Sequence, residues 1–102
     1  MQINPMCEEL KRGYEELISP ITTTSQTWTK NPKYKKFMIR SKISGYWKDT
    51  YFPYNATAVE ITMYYNESYH VFVVVNTAES NLAYSVNGVG FDVQEMYLYG
   101  VY

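Results

Sequence analysis

From Tyr34 onward the sequence repeats one pattern, in which short runs rich in β-branched and aromatic residues are separated by turn residues. In residues 57–65 (TAVEITMYY) apolar and polar side chains alternate, so Val59 and Ile61 share one face of a strand. After a short turn, residues 69–75 (YHVFVVV) are almost continuously apolar, as in a central strand. This succession predicts antiparallel hairpins and no second long helix.

Two dipeptides predict the tightest turns. Ser44-Gly45 separates KFMIRSKI from YWKDTYF, and Asn87-Gly88 separates LAYSV from VGFDV. Asn-Gly is a strong hairpin signal, because both residues tolerate the positive φ that a two-residue turn requires. With Ser44-Gly45 as the turn, Arg40 lies opposite Asp49.

The first residues predict a helix over about residues 5–18. Asn4-Pro5 fits a helix start, Ser19-Pro20 fits its end, and apolar side chains recur at helical spacing between them. The predicted fold is a single α+β domain, residues 1–102, with this helix packed on one face of a mostly antiparallel meander sheet of five to six strands. Its predicted core contains Leu10, Leu17, Ile61 and Val73.

The charges are segregated along the chain. Residues 1–16 carry a net charge of −2, residues 17–48 carry +7 and residues 49–102 carry −6. Seven of the nine basic residues therefore lie in one short segment of a chain whose net charge is −1. This segregation predicts a polarised surface, which matters for how a partner is oriented.

The predicted hairpin gathers these cations on one face. The candidate partner-binding residues of this basic and aromatic surface are Lys36, Arg40, Lys42, Trp47, Lys48 and Tyr51. A positive strand face can meet several phosphates, and neighbouring rings can stack on bases. The alternative is intramolecular, with Lys42 over Trp47, Arg40 paired with Asp49, and the positive segment facing the negative one.

A second candidate interface lies on the two most apolar strands. Tyr64, His70 and Phe72 share the face directed away from Val59 and Ile61, and this face is too apolar for ordinary contact with solvent. One helix cannot cover both sides of a sheet. The candidate covers are residues 20–33 of the same chain, a second copy, or a partner.

No set of catalytic residues is found in the sequence. Cys7 and the single histidine, His70, offer a nucleophile and a base, but a cysteine on an amphipathic helix is more often a core residue. One histidine excludes a zinc site built from two histidines, and no glycine-rich phosphate loop is present. We therefore predict a protein that is not an enzyme and that needs neither a metal nor a cofactor.

The sequence also bears on the compartment. A single cysteine forms no internal disulfide, which favours a reducing environment, and no run of about 18 apolar residues is present to span a membrane. These features predict a cytoplasmic protein without a membrane partner; for a phage-encoded protein this is the host cell cytoplasm.

The twelve tyrosines suit a protein that binds other macromolecules, since tyrosine is favoured at interfaces. In overall character the chain resembles the small binding proteins of phages and mobile elements, such as anti-CRISPR and other anti-defence inhibitors or toxin-immunity proteins. That resemblance implies an inhibitor that occupies the functional surface of a protein, for example a nuclease or a nucleoprotein complex. The alternative is a single-stranded nucleic-acid or nucleotide-binding module that uses the hairpin of residues 34–52. A homodimer is a further alternative.

Overall fold

The computed structural model describes residues 12–66, 69–87 and 92–102, with the backbone alone at 63–66 and 69–72. Within these ranges the chain forms strands and no helix. The strands, in chain order, are β1 (Glu15–Pro20), β2 (Lys36–Ile43), β3 (Tyr46–Pro53), β4 (Ala58–Asn66), β5 (Tyr69–Ala78), β6 (Asn81–Asn87) and β7 (Val93–Val101).

These strands form two antiparallel sheets. Sheet A has four strands in the order β1-β7-β2-β3, and sheet B has three in the order β4-β5-β6. One core cluster joins them, with Phe37 and Leu98 from sheet A and Val75 and Leu82 from sheet B. The two sheets therefore pack face to face, and each strand turns alternate side chains toward the shared core.

The predicted hairpin between β2 and β3 is confirmed, residue by residue. Ile43 pairs with Tyr46, and the register continues without a break to Lys36 and Pro53. Both turn residues have positive φ, 48° at Ser44 and 88° at Gly45. This combination is the type I′ turn, whose twist matches that of the flanking strands.

The predicted N-terminal helix, and with it the α+β class, is wrong for the part of the chain that the structure describes. Residues 15–20 form β1 and pair with β7. Gly13 lies in a turn with φ 83°, which a helix cannot accommodate, and its N–H donates to the carbonyl of Tyr102 at 2.7 Å. Residues 5–11, including Cys7 and Leu10, lie outside the described residues.

The single meander sheet is also wrong. The strands on either side of Asn87-Gly88 do not form a hairpin, because β6 belongs to sheet B whereas β7 lies between β1 and β2 in sheet A. Gly88 itself lies outside the described residues. The chain thus crosses from one sheet to the other at this point, and its last described strand becomes a central strand.

Part of the predicted core is confirmed. Ile61 and Val73 are fully buried and belong to the cluster between the sheets. Leu17, by contrast, is 55% exposed, because β1 turns this side chain away from sheet B while Ile18 packs against the core. A strand places adjacent residues on opposite faces, whereas the predicted helix placed both on one.

Candidate interaction face

The face of sheet A that is directed away from sheet B, called here the outer face, is the candidate functional site. The register places its members opposite one another: Glu15 and Leu17 on β1; Lys36, Met38, Arg40 and Lys42 on β2; Trp47, Asp49 and Tyr51 on β3; and Glu95, Tyr97 and Tyr99 on β7. Five of the six predicted partner-binding residues share this face.

Three large apolar side chains of the outer face are half exposed. The exposed fractions are 52% for Trp47, 50% for Tyr51 and 55% for Leu17. Met38, which lies between Tyr51 and Tyr99 in the register, is fully buried. The outer face thus has a buried apolar side chain beneath half-exposed aromatic rings, which is the arrangement of a contact surface.

The rings of the outer face are held by its own cations. Lys36 Nζ lies 4.8 Å from the centre of the Tyr51 ring, and Lys42 Nζ lies 5.8 Å from that of Trp47. The guanidinium carbon of Arg40 lies 5.1 Å from the centre of the Tyr99 ring. These distances suit cation–π attraction, so every predicted cation that lies on this face contacts a ring of the same face.

Arg40 also connects three strands through carboxylates. Its Nε and Nη2 donate to the two oxygens of Asp49 at 2.9 and 3.0 Å, and Nη2 donates to Glu15 Oε1 at 3.3 Å. The second oxygen of Glu15 accepts from the Tyr51 hydroxyl at 3.2 Å, and this hydrogen bond raises the pKa of Tyr51. The network fixes both the cation and the half-exposed ring of Tyr51.

The outer face is balanced in charge. Along the four described strands it carries three cations, Lys36, Arg40 and Lys42, and three carboxylates, Glu15, Asp49 and Glu95. Sequence reasoning found the cations and Asp49, since all of them lie on one hairpin. It missed Glu15 and Glu95, and with them Tyr97 and Tyr99, because β1 and β7 join this hairpin only through pairing between distant segments.

Lys48 lies on the opposite side of β3 from the other candidates. It pairs with the fully buried Ser41, and its Nζ donates to the carbonyl of Thr62 on β4 at 2.6 Å. Lys48 therefore links the two sheets. Alternation along β3 separates it from Trp47, its neighbour in sequence.

The second candidate interface is described only by its backbone. The pairing of β4 with β5 sets Tyr64 opposite His70 and Thr62 opposite Phe72, as alternation predicts. The side chains of Tyr64, His70 and Phe72 lie outside the described residues.

We expect the Arg40–Asp49 pair to make the free energy of unfolding depend on pH in the acid range. The hydrogen bonds from Arg40 lower the pKa of Asp49, so its carboxylate stabilises the fold above the unfolded pKa, about 3.9. This contribution is lost as the pH falls through the folded pKa. The stability difference between the wild type and Asp49→Asn should therefore shrink between about pH 5 and pH 2 in urea unfolding. An unchanged difference at both ends of that range would contradict the pairing.

Comparison with protein-family models, curated proteins and solved structures finds no match. Among the described residues, His, Cys, Asp and Glu side chains do not gather into groups of three that suit a metal ion. Within the same residues, no helix is long and apolar enough to cross a membrane.

Proposed function

We propose that this protein is a small non-enzymatic inhibitor that binds a macromolecular partner, most simply a protein, through the outer face of sheet A. By covering the partner's functional surface it blocks access to that surface. The site consists of the half-exposed side chains Leu17, Trp47 and Tyr51, framed by the paired charges around them. A nuclease or a nucleoprotein complex in the cytoplasm is the class of target that we propose.

The charge-balanced aromatic surface is the observation that carries this proposal. Interfaces between proteins are enriched in aromatic residues and arginine, and a few such residues supply most of the binding energy. Trp47 and Tyr51 combine large exposed area with few rotatable bonds. Their cation and hydroxyl contacts are already made before binding, so little side-chain freedom is lost on association.

The same balance argues against the nucleic-acid alternative. A protein that binds a phosphate backbone gains affinity by releasing counterions, which requires a net positive surface. On the outer face, Glu15 and Asp49 neutralise Arg40, and Glu95 lies opposite Lys42. The charges therefore favour orientation against a mixed protein surface over attraction to a polyanion.

The proposal is tested by substitutions on neighbouring residues of one hairpin. Partners are captured from a nuclease-treated lysate, and binding is then measured with the wild type and with Trp47→Ala, Tyr51→Ala and Tyr46→Ala. We expect each of the first two changes to weaken binding by at least about tenfold, as for a residue at the centre of an interface. Tyr46→Ala is the control, because Tyr46 is more exposed but lies off the outer face.

Two results would overturn the proposal. One is equal binding by all three variants, which would place the interface elsewhere, with Tyr64, His70 and Phe72 as the next candidates. The other is capture that disappears after nuclease treatment, together with a steep loss of binding in salt and in the variant Lys36→Glu/Lys42→Glu. That pair of results would establish the single-strand-binding alternative.

A further inference from the structure

The two sheets have four edge strands, and three of these edges are protected. The edge of β6 is covered by residues 22–26: Gln26 and Leu82 exchange hydrogen bonds, and Tyr84 N–H donates to Thr22 at 3.0 Å. At the edge strand β4, the Lys48 side chain donates a hydrogen bond to the backbone carbonyl of Thr62, so this carbonyl already has a partner. The edge strand β1 is short and contains a bulge, and these features hinder pairing with another strand.

The remaining edge, that of β3, has none of these protections. Its eight residues follow β2 without a bulge, and its proline is the last residue. In a two-residue hairpin the flanking pair, here Ile43 and Tyr46, exchanges both hydrogen bonds, and bonded and non-bonded pairs then alternate. The backbone N–H and C=O groups of Trp47, Asp49 and Tyr51 therefore point outward, and the described residues supply no partner for them.

This open edge restricts how a second copy can pair with it. A symmetric antiparallel pairing must set outward-pointing residues opposite one another. A two-fold axis at residue 48, 49 or 50 does so for at least two of the three residues Trp47, Asp49 and Tyr51. An axis at residue 49 sets Asp49 against Asp49, and an axis at residue 48 sets Lys48 against Lys48. Like charges directly opposite destabilise a pair of strands. An axis at Thr50 avoids both, and it sets Asp49 opposite Tyr51 and Trp47 opposite Pro53.

A second observation concerns Thr50 itself. Its hydroxyl oxygen is shielded from solvent and has no hydrogen-bond partner. Among the described residues it is the buried side-chain atom left without one. A buried hydroxyl without a partner destabilises a fold, because it loses its hydrogen bonds to water and gains none in return. An axis through Thr50 sets the two threonine side chains opposite each other. Rotation about χ1 then turns the buried hydroxyls toward one another, giving a cross-strand threonine pair, which stabilises sheets through a hydrogen bond.

We infer that β3 pairs with β3 of a second copy about a two-fold axis at Thr50, joining two A sheets into one sheet of eight strands. The backbone groups of Asp49 and Tyr51 in each copy then gain partners. The outer faces of the two copies lie on the same side of the joined sheet, because pairing in this register preserves the alternation of faces. The inference does not depend on the proposed function, since dimerisation is measured without any partner.

The register is tested by disulfide trapping in the full chain. In a Cys7→Ser background, Thr50→Cys places two thiols at the axis, within the Cα separation of about 4.4–6.8 Å that a disulfide requires. Lys48→Cys is the matched control, because in this register the two residues 48 lie ~14 Å apart. Under mild oxidation we expect a covalent dimer from Thr50→Cys and none from Lys48→Cys. Equal trapping of the two variants, or trapping of Lys48→Cys alone, overturns the inference.

The use of the edge is tested by sedimentation of the protein without added cysteine, over roughly 1–500 μM. Tyr51→Ala and Tyr51→Pro both remove the ring, but only proline also removes the outward N–H. We expect the wild type to dimerise, and Tyr51→Pro to dimerise at least about tenfold more weakly than Tyr51→Ala. Circular dichroism checks that both variants are folded. A wild type that stays monomeric throughout, or equal dimerisation by the two variants, refutes the inference.

Discussion

Replacing Phe37 with alanine is expected to reduce the free energy of unfolding by about 3–5 kcal/mol, a large part of the stability of a domain this size. Phe37 is fully buried, and its ring centre lies 5.1 Å from that of Trp28 and 5.5 Å from those of Phe52 and Tyr54. These rings come from two strands and two connecting segments. Alanine would leave a cavity where they meet, and rings pinned on several sides can collapse into it only in part.

Urea unfolding of Phe37→Ala and Phe37→Leu measures this effect. Leucine keeps most of the buried apolar volume and should cost clearly less than alanine, since the loss scales with the cavity that is left. Equal costs for the two variants would show that the cluster gains little from the ring. A cost below about 1 kcal/mol for alanine would contradict the packing described here.

Gly100→Ala is expected to cost about 1–3 kcal/mol, although it adds one methyl group. Gly100 lies opposite Phe37 on β7, and a Cβ atom at this position would overlap the ring of Tyr34. Tyr34 is buried against Phe37 and Tyr102, so its ring has little room to move away. The strain of overpacking should therefore appear as lost stability.

A double-mutant cycle identifies the cause of that loss. Tyr34→Ala removes the Cγ, Cδ1 and Cε1 atoms that the new methyl group would meet, so Gly100→Ala should cost much less in the Tyr34→Ala background than alone. Thermal unfolding of the four proteins gives the coupling. Additive effects would show that the ring is not the obstacle and that the cost of alanine arises in the backbone.

The sequence was informative where structure depends on neighbouring residues. The β2–β3 register follows from a two-residue turn, and the β4–β5 register follows from alternation on both sides of a short connection. In each case a few local residues determine which side chains face each other. The sequence therefore predicted that Ile61 and Val73 are buried. It also predicted which hairpin residues share the outer face, namely Lys36, Arg40, Lys42, Trp47 and Tyr51.

Prediction failed where distant segments decide the structure. The spacing of Tyr14, Leu17 and Ile18 fits the apolar face of a helix. The same residues also fit a strand in which Leu17 points outward, and the chain forms this strand because it pairs with β7. Likewise, nothing local indicates that β6 and β7 lie in different sheets. The charge balance of the outer face was missed for this reason, since Glu15 and Glu95 belong to strands far from the hairpin in sequence.

The position of β7 between β1 and β2 also gives the molecule an order of assembly. A hairpin with a two-residue turn forms within microseconds, whereas pairing of β1 with β7 must close a loop of most of the described chain. Until it closes, the outer positions of the β2–β3 hairpin carry three cations against the single carboxylate of Asp49. In a half-folded chain the outer face of the hairpin therefore carries an excess of positive charge, and completion of the fold removes this excess when β1 and β7 add Glu15 and Glu95.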